Sequence, residues 1–266
     1  MSKTLITSNA IDPSSPKAQA QALVLAAGRG ERMRPLSDTT PKPLLKVHER
    51  SLIEHTLDQL GKSGIKNVVI NTAWLGEQIR TRLKKHDASH AEQTHLSSME
   101  LSFSCEDLDF GGALETGGGI VRALPLLDDV FWVLAGDVYA PEFDFPRVAM
   151  DHFSKSAQLA HLWLVPNPPQ HPRGDFWIQG TNACRLEDAS TTPPPKTYTF
   201  STIALYKKSF FSSPFCSIPA GNPQGVKAPL APWLKEAMKD QRVGASLFEG
   251  QWTDVGTPER LAQLNA

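Results

Sequence analysis

At 266 residues and 40% hydrophobic content, the chain is long enough to bury one large α/β core or two small ones. Its 27 Lys and Arg balance 28 Asp and Glu to a net charge of -1, so no global field draws nucleic acid or an anionic membrane. Any anionic ligand must be met by local cations, and three distant cysteines (Cys105, Cys184, Cys216) without C-x-x-C spacing exclude a disulfide framework and fit a reducing compartment.

Residues 1–20, MSKTLITSNAIDPSSPKAQA, have no sustained period and no signal-peptide core, so a disordered tail is expected there. No stretch approaches the roughly 20 apolar residues of a membrane span, and a soluble, cytoplasmic protein is expected, with one folded domain over residues 21–266. QALVLA reads as a strand, LIEHTLDQLGKSG as an amphipathic helix, NVVINT as a buried strand and WLGEQIRTRLKK as a helix. In HDASHAEQTHLSSM, His86, His90 and His95 match no zinc spacing and read as ordinary loop. LSFS and VFWVLAG supply strands around a helix over ETGGGIVRALPLL, and Gly136-Asp137 follows at a strand end. LAHLWLVPNPPQHPRGDFWI and TYTFSTIALY contain strand-like runs, DASTTPPPK a surface loop and VKAPLAPWLKEAMKD a late helix. In QWTDVGTPERLAQLNA, Thr257 is placed to cap a short helix that starts at Pro258. This alternation predicts an α/β fold: a mostly parallel central sheet, helices on both faces, and ligands collecting at the carboxyl ends of strands.

The segment LVLAAGRGERMRPLSDTTPKPL, residues 23–44, lies at such an end. Gly28 and Gly30 let the backbone turn sharply and bring N–H groups close to a ligand, a nest that suits phosphate. The loop lacks the G-K-S/T of a P-loop and the G-x-G-x-x-G of a dinucleotide site. Arg29, Arg32 and Arg34 alternate along it, and Pro41 and Pro43 flank Lys42, a pattern expected to hold that backbone extended and to anchor the ammonium beside the apolar Leu44-Leu45. Phosphate binding is expected here.

These residues also carry a family likeness. LAAGRGERMRPLSDTTPKPL resembles the signature of the sugar-1-phosphate nucleotidylyltransferases, L-A-A/G-G-x-G-x-R-(M/L)-x-P-L-T-x-x-x-P-K-P-L, with Ser37 in place of the usual Thr. The resemblance runs from Gln21 to about Leu264 through WLGEQI, LETGGGIVRALPLL, GDV, HPRGDF, TFS and WTDVGT. It implies a single Rossmann-like domain that transfers a nucleotidyl group from a nucleoside triphosphate to a sugar 1-phosphate and releases pyrophosphate. By position, the loop that wraps the triphosphate corresponds to Ala27, Gly28, Arg29, Gly30, Glu31 and Arg32, with Arg32 and Lys42 as catalytic cations. The two carboxylates that hold Mg²⁺ correspond to Asp137 and Asp254. Without the resemblance, Asp137 reads equally as a turn residue and Asp254 as a favourable charge near a helix N-terminus.

Glu115 and Gly117 to Gly119 resemble the segment passing beneath the base, which implies nucleotide contact at Gly118 and substrate contact at Glu115; read alone, they make a flexible helix start. The combination of L-E-T-G-G-G-I, H-x-R-G-D-F and a short C-terminal segment is most similar to the N-acetylmuramate α-1-phosphate uridylyltransferase branch, implying UTP as donor and a role in cell-wall sugar recycling. In that reading Arg173 meets an anionic group of the sugar and Asp175 accepts its hydroxyls. Ala135 stands where relatives often carry Asn, and mannose-1-phosphate guanylyltransferases share much of the pattern. With ten residues after Gly256, the β-helix of bifunctional relatives, and with it acetyl transfer, is not expected. A regulatory nucleotide-sugar-binding protein would keep the fold but would not need Arg32, Lys42, Asp137 and Asp254 together, and a dehydrogenase would need the missing dinucleotide fingerprint.

Overall fold

The computed structural model describes residues 20–89, 95–189 and 195–266; residues 1–19 of the expected tail, residues 90–94 with His90, and residues 190–194 of the Pro-rich loop lie outside the described residues. In chain order the elements begin with strand β1 (Ala20–Ala26), helix α1 (Leu36–Thr39), hairpin strands β2 (Lys46–Val47) and β3 (Arg50–Ser51), and helix α2 (Leu52–Lys62). Then come β4 (Asn67–Thr72), α3 (Gly76–Ser89), β5 (Glu100–Cys105), α4 (Glu106–Phe110), α5 (Glu115–Ala123), β6 (Leu127–Ala135), β7 (Val138–Tyr139) and α6 (Arg147–Lys155). The chain continues through β8 (Ala160–Val165), β9 (Phe176–Gln179), β10 (Asn182–Arg185), β11 (Thr197–Lys207), α7 (Ala231–Lys239), β12 (Val243–Leu247), β13 (Thr253–Asp254) and α8 (Pro258–Leu264).

Nine strands form one sheet in the order β5-β4-β1-β6-β11-β8-β12-β10-β9. Its first four strands pair in parallel. From β11 onward antiparallel pairing takes over, interrupted only by the parallel β8·β12 pair. The sheet is therefore mixed rather than mostly parallel. β9 also pairs with the start of β11, so pairing closes on itself around β11, β8, β12, β10 and β9.

Alternation along the central strands sends neighbouring residues to two different apolar clusters, as a period of two requires. Leu23 and Val69 enter one cluster with Ile120 of α5 and Leu234 of α7; Val24 and Ile70 enter the other with Leu57 of α2 and Ile79 of α3. The apolar spacing Leu52, Ile53, Leu57, Leu60 puts one face of α2 into that second cluster or next to it, and all four side chains are fully buried. A third cluster joins Met33, Leu45, Val47, Leu52, Tyr139 and Val255, with Leu261 and Leu264 of α8 against it. It ties the glycine loop, the β2·β3 hairpin and the end of the chain into one unit.

Helix α5 stops at Ala123, four residues before the end expected for it, because Pro125 cannot continue an α-helix; a short 3₁₀ turn follows and β6 starts at Leu127. Its three glycines reflect contact on three sides. A Cβ at Gly117 would lie 2.7 Å from the Trp233 ring, at Gly118 2.5 Å from the Val226 carbonyl, and at Gly119 2.6 Å from Glu106 Oε1. Thr257 stands at the N-cap of α8 and accepts from Arg260 N, with Pro258 first in the helix. Among the described residues no helix is long and apolar enough to cross a membrane.

Gly119→Ala tests this packing. Neither Glu106 nor Asn71, whose Nδ2 is 2.9 Å from the position the added methyl would take, can withdraw without losing a buried hydrogen bond. We expect a destabilisation of about 1–3 kcal/mol, read as a lower urea midpoint with unchanged far-UV circular dichroism.

Candidate active site

The carboxyl end of β1 delivers the chain into a loop that the third apolar cluster holds from below. Met33, fully buried, is its anchor. Gly30 adopts a left-handed φ of 64°, and a Cβ there would press on Lys42 Cβ at 3.3 Å. Ser37 Oγ donates to the Gly30 carbonyl at 2.7 Å and Trp74 Nε1 donates to the Ser37 carbonyl at 2.8 Å, so the serine supplies a hydroxyl that braces the turn. Lys42 opens a 3₁₀ turn (Lys42–Leu44) after the extended Pro41, rather than continuing an extended segment as its two prolines suggested.

The Lys42 side chain is only 9% exposed, and its ammonium lies 2.5 Å from Asp137 Oδ2 and 3.7 Å from Asp254 Oδ1. Two carboxylates 117 positions apart in sequence meet here because β7 and β13 form a two-stranded ladder, with Asp254 opposite Val138 and Val255 N donating to the Asp137 carbonyl at 3.2 Å. Asp254 also accepts from Arg260 Nη1 at 2.9 Å, while Arg32 Nη2 stands 3.9 Å away on a side chain that is 69% exposed. A buried ammonium is tolerated only when paired, and a pair of facing carboxylates needs such a cation between them.

Two clefts open on this cluster and share Leu25, Gly28 and Asp137 as a common wall. The smaller, about 380 Å³, is lined by Gly30, Glu31, Arg32, Lys42 and Gly256. The larger, about 640 Å³, is lined on one side by Ala27, Asn71, Glu115 and Thr116, and on the other by Asp175, Phe176, Phe200 and Thr202. Nothing lies within 4 Å of the position a Cβ would take at Gly28, so this glycine borders open cleft.

Residues 21–182 match the family model described as Nucleotidyl transferase. The chain belongs to the nucleotidyl transferase family. It is 40% identical over 251 residues, 92% of this chain and 97% of the relative, to an N-acetylmuramate alpha-1-phosphate uridylyltransferase of Neisseria meningitidis serogroup B. A protein of the same name from Caulobacter vibrioides is 30% identical over 252 residues, covering 90% of this chain and 92% of that one. Among solved structures, a UDP-glucose pyrophosphorylase complexed with UDP-glucose superposes with a TM-score of 0.69 over 93% of this chain and 97% of that one at 16% identity, which establishes a common α/β fold.

Of the residues singled out from sequence, Ala27, Gly28, Gly30, Glu31, Arg32, Lys42, Asp137, Glu115 and Asp175 line one or both clefts, and Asp254 joins them through Lys42. Besides Asp254, three line neither cleft. Arg29 turns outward and stacks its guanidinium on Trp74, 4.4 Å from the ring centroid. Gly118 is buried, with its N–H donated to the Ala228 carbonyl and its carbonyl accepting from Asn222 Nδ2, so its backbone groups are already engaged inside the protein. Arg173 is exposed on the turn before β9 and makes no part of the cleft wall, whereas Asp175 is tied down by Phe200 N at 2.8 Å and by His171 Nε2 at 3.1 Å. Among the described residues no three His, Cys, Asp or Glu side chains form a metal-binding group.

Sequence reading missed Asn71 and Glu106. Asn71 Oδ1 accepts from Ala26 N at 2.7 Å, at the very start of the glycine loop, and its Nδ2 donates to Glu106 Oε1 at 2.7 Å. Glu106 Oε2 accepts from Leu114 N at 2.7 Å, next to Glu115. The Asn71 and Glu115 segments of one side of the larger cleft are thus pinned to one fully buried carboxyl. Burial pushes that carboxyl above its usual range, while the Leu114 and Asn71 donors act against the shift. A polar residue near the end of an otherwise apolar strand, NVVINT, was the available signal.

Glu106 faces two N–H donors and offers two acceptors. In Glu106→Gln an NH₂ must face one of them, leaving a buried donor unpaired at a cost of about 1–3 kcal/mol. Chemical denaturation at neutral pH should register this loss, together with a raised KM for the nucleotide.

Proposed function

We propose that this enzyme transfers UMP from UTP to N-acetylmuramate α-1-phosphate. An oxygen of the sugar phosphate attacks the α-phosphorus, the bond from that phosphorus to the bridging oxygen breaks, and pyrophosphate leaves as UDP-N-acetylmuramate forms. The observation that carries the chemistry is Lys42, which lines the smaller cleft and is held between Asp254 and Asp137, the latter on the wall common to the two clefts. The choice of substrates rests on the two uridylyltransferases that match nearly full length. We read residues 21–266 as one catalytic domain, and the three free cysteines fit a reducing cytoplasm.

In this reading the backbone at Gly28 and Gly30 cradles the triphosphate, the exposed Arg32 neutralises the departing pyrophosphate, and Lys42 neutralises charge on the reacting phosphate. Catalysis of this displacement needs alignment and cationic stabilisation rather than a protein nucleophile. Asp137 and Asp254 are the residues that would hold Mg²⁺: their oxygens already converge on one cationic atom, and two carboxylates completed by phosphate and water oxygens suit a hard ion. When bound, that ion supplies further charge neutralisation at the phosphates. Glu115 and Asp175, on opposite sides of the larger cleft, are the carboxylates available to substrate hydroxyls.

The assay is pyrophosphate release over four nucleoside triphosphates and several sugar 1-phosphates. UTP with N-acetylmuramate 1-phosphate should be the best pair, and a preference for GTP with mannose 1-phosphate would overturn the substrate assignment. Asp137→Asn and Asp254→Asn should each lower kcat/KM by roughly two orders of magnitude or more while leaving the circular dichroism spectrum unchanged. Lys42→Arg retains the charge but sets a wide planar fork in a space shaped by Gly30 and two prolines, and should lose about tenfold or more in kcat.

A further inference from the structure

Two residues of β11 that line the larger cleft, Thr202 and Tyr206, carry buried hydroxyls with no hydrogen-bond partner among the described residues. Tyr206 is fully buried, its ring set among Phe131, Phe210 and Phe211 at centroid distances of 6.4, 5.5 and 5.5 Å, and its hydroxyl is unpaired. Phenylalanine would fill that space without burying a lone donor, so the hydroxyl is a cost to the free protein that none of its neighbours offsets. Thr202 Oγ1 is likewise buried and unpaired, on a β-branched residue held at a φ of 66°. The strain is imposed from outside the residue. Ser201 Oγ donates to the Trp163 carbonyl at 2.6 Å and accepts from Ile203 N, Trp252 Nε1 donates to the Ser201 carbonyl, and the register against β8 shifts between Phe200 and Ala204. A strained backbone fixed by several contacts beside a cleft points to a ligand.

The lining narrows the class of that ligand. It includes the carboxylates Glu115, Asp137 and Asp175 and, among the described residues, no Lys, Arg or His, so an anionic group is disfavoured away from the Lys42 side. Val133, Phe176, Leu230 and Leu234 make the wall near Tyr206 apolar. Burial pushes the phenol far above its ordinary range, which keeps it a hydrogen-bond donor at every working pH. The glycine loop and Asn71 belong to the β1 and β4 side of β6, whereas Tyr206 and Thr202 lie on β11 across β6 from them, the side left for the second substrate.

We propose that Tyr206 and Thr202 read the N-acyl group of an amino-sugar 1-phosphate: the phenol donates to the acyl carbonyl, the Thr202 hydroxyl accepts from the amide N–H, and the acyl carbon packs on the apolar wall. This inference rests on the substrate reading given above. The lactyl carboxylate of N-acetylmuramate then points away from this wall toward the rim.

Kinetics of Tyr206→Phe and Thr202→Gly test it, the latter keeping a residue that accepts a left-handed φ. Pyrophosphate release is measured with UTP and either N-acetylmuramate 1-phosphate or the same sugar phosphate without its N-acetyl group, alongside thermal melting of the free proteins. Each variant should lose about tenfold or more in kcat/KM for the acetylated sugar, with little change for the other sugar or in KM for UTP, and Tyr206→Phe should melt no lower than wild type. Unchanged kinetics, equal losses for both sugars, or a rise confined to KM for UTP, as a pyrimidine reader would give, overturns the inference alone. A wild type that does not use N-acetylated sugar phosphates overturns it together with the substrate reading.

Discussion

Everything at this site depends on keeping Asp137 and Asp254 next to each other. Two unit charges a few ångströms apart interact by several kcal/mol at the effective dielectric of a protein surface, so the arrangement holds only with a cation between the carboxylates. Lys42 supplies it, and much of the surrounding sequence serves to deliver Lys42 there. Gly30 stands clear of its stem, Pro41 sets the entry to its turn, and Met33 and Leu45 fasten the loop on either side of it to the third apolar cluster. The same cluster holds Tyr139 of β7 and Val255 after β13, the neighbours of the two carboxylates. One small core therefore fixes both anions and their cation, and its separation from the two main clusters keeps the charged group at the sheet edge.

The loop was legible in sequence because its spacing is local: glycines, arginines and a proline-flanked lysine within some twenty positions, whereas Asp137 and Asp254, far apart in the chain, were singled out only through the family resemblance. The strands β1, β4, β6 and β11 and the helices α2 and α3 were legible for a similar reason, since apolar periodicity is a property of short windows. The short helices α4 and α6 and the strands β10 and β12 were not. Along α6 the apolar stripe is only Ala149, Met150 and Phe153, of which Phe153 alone is buried, too short a pattern to mark a helix in sequence. β12, with the sequence VGASL, is built from small residues of weak strand preference and owes its place to pairing between β8 and β10. Gly244 within it leaves room for His161 and Gln158, a tertiary demand that no local pattern reveals.

The triple glycine of α5 shows a different kind of illegibility. A run of three glycines reads naturally as a flexible segment or as backbone offered to a ligand. In the structure each glycine instead answers a separate close approach, from Trp233, from the Val226 carbonyl and from Glu106, and the run is a rigid helix packed on three sides. Its relation to the cleft is indirect: the helix positions Glu115 at its first residue, and the Glu106 carboxyl ties that end of the helix through Leu114 to Asn71 and the start of the glycine loop. Composition reported the absence of side chains correctly but could not say whether a ligand or the protein itself occupied the space.

The reversal of direction at β11 explains why one cleft can serve two substrates. In a wholly parallel sheet every strand presents its carboxyl end to the ligand, and the connections that follow are the glycine loop and its analogues. Because β11 runs antiparallel to β6, it brings the beginning of a strand, from Thr197 to Thr202, to the same edge as the end of β6. A strand start carries side chains on a paired backbone, and the pairing of Tyr198 with Phe176 adds Asp175 and β9 to the same wall. The parallel half therefore offers a loop with backbone donors, suited to phosphates, while the antiparallel half offers fixed side chains, suited to the shape and hydrogen bonding of a neutral ring. Asp137 stands at the boundary, after the last parallel strand, where the two kinds of ligand have to meet for transfer to occur.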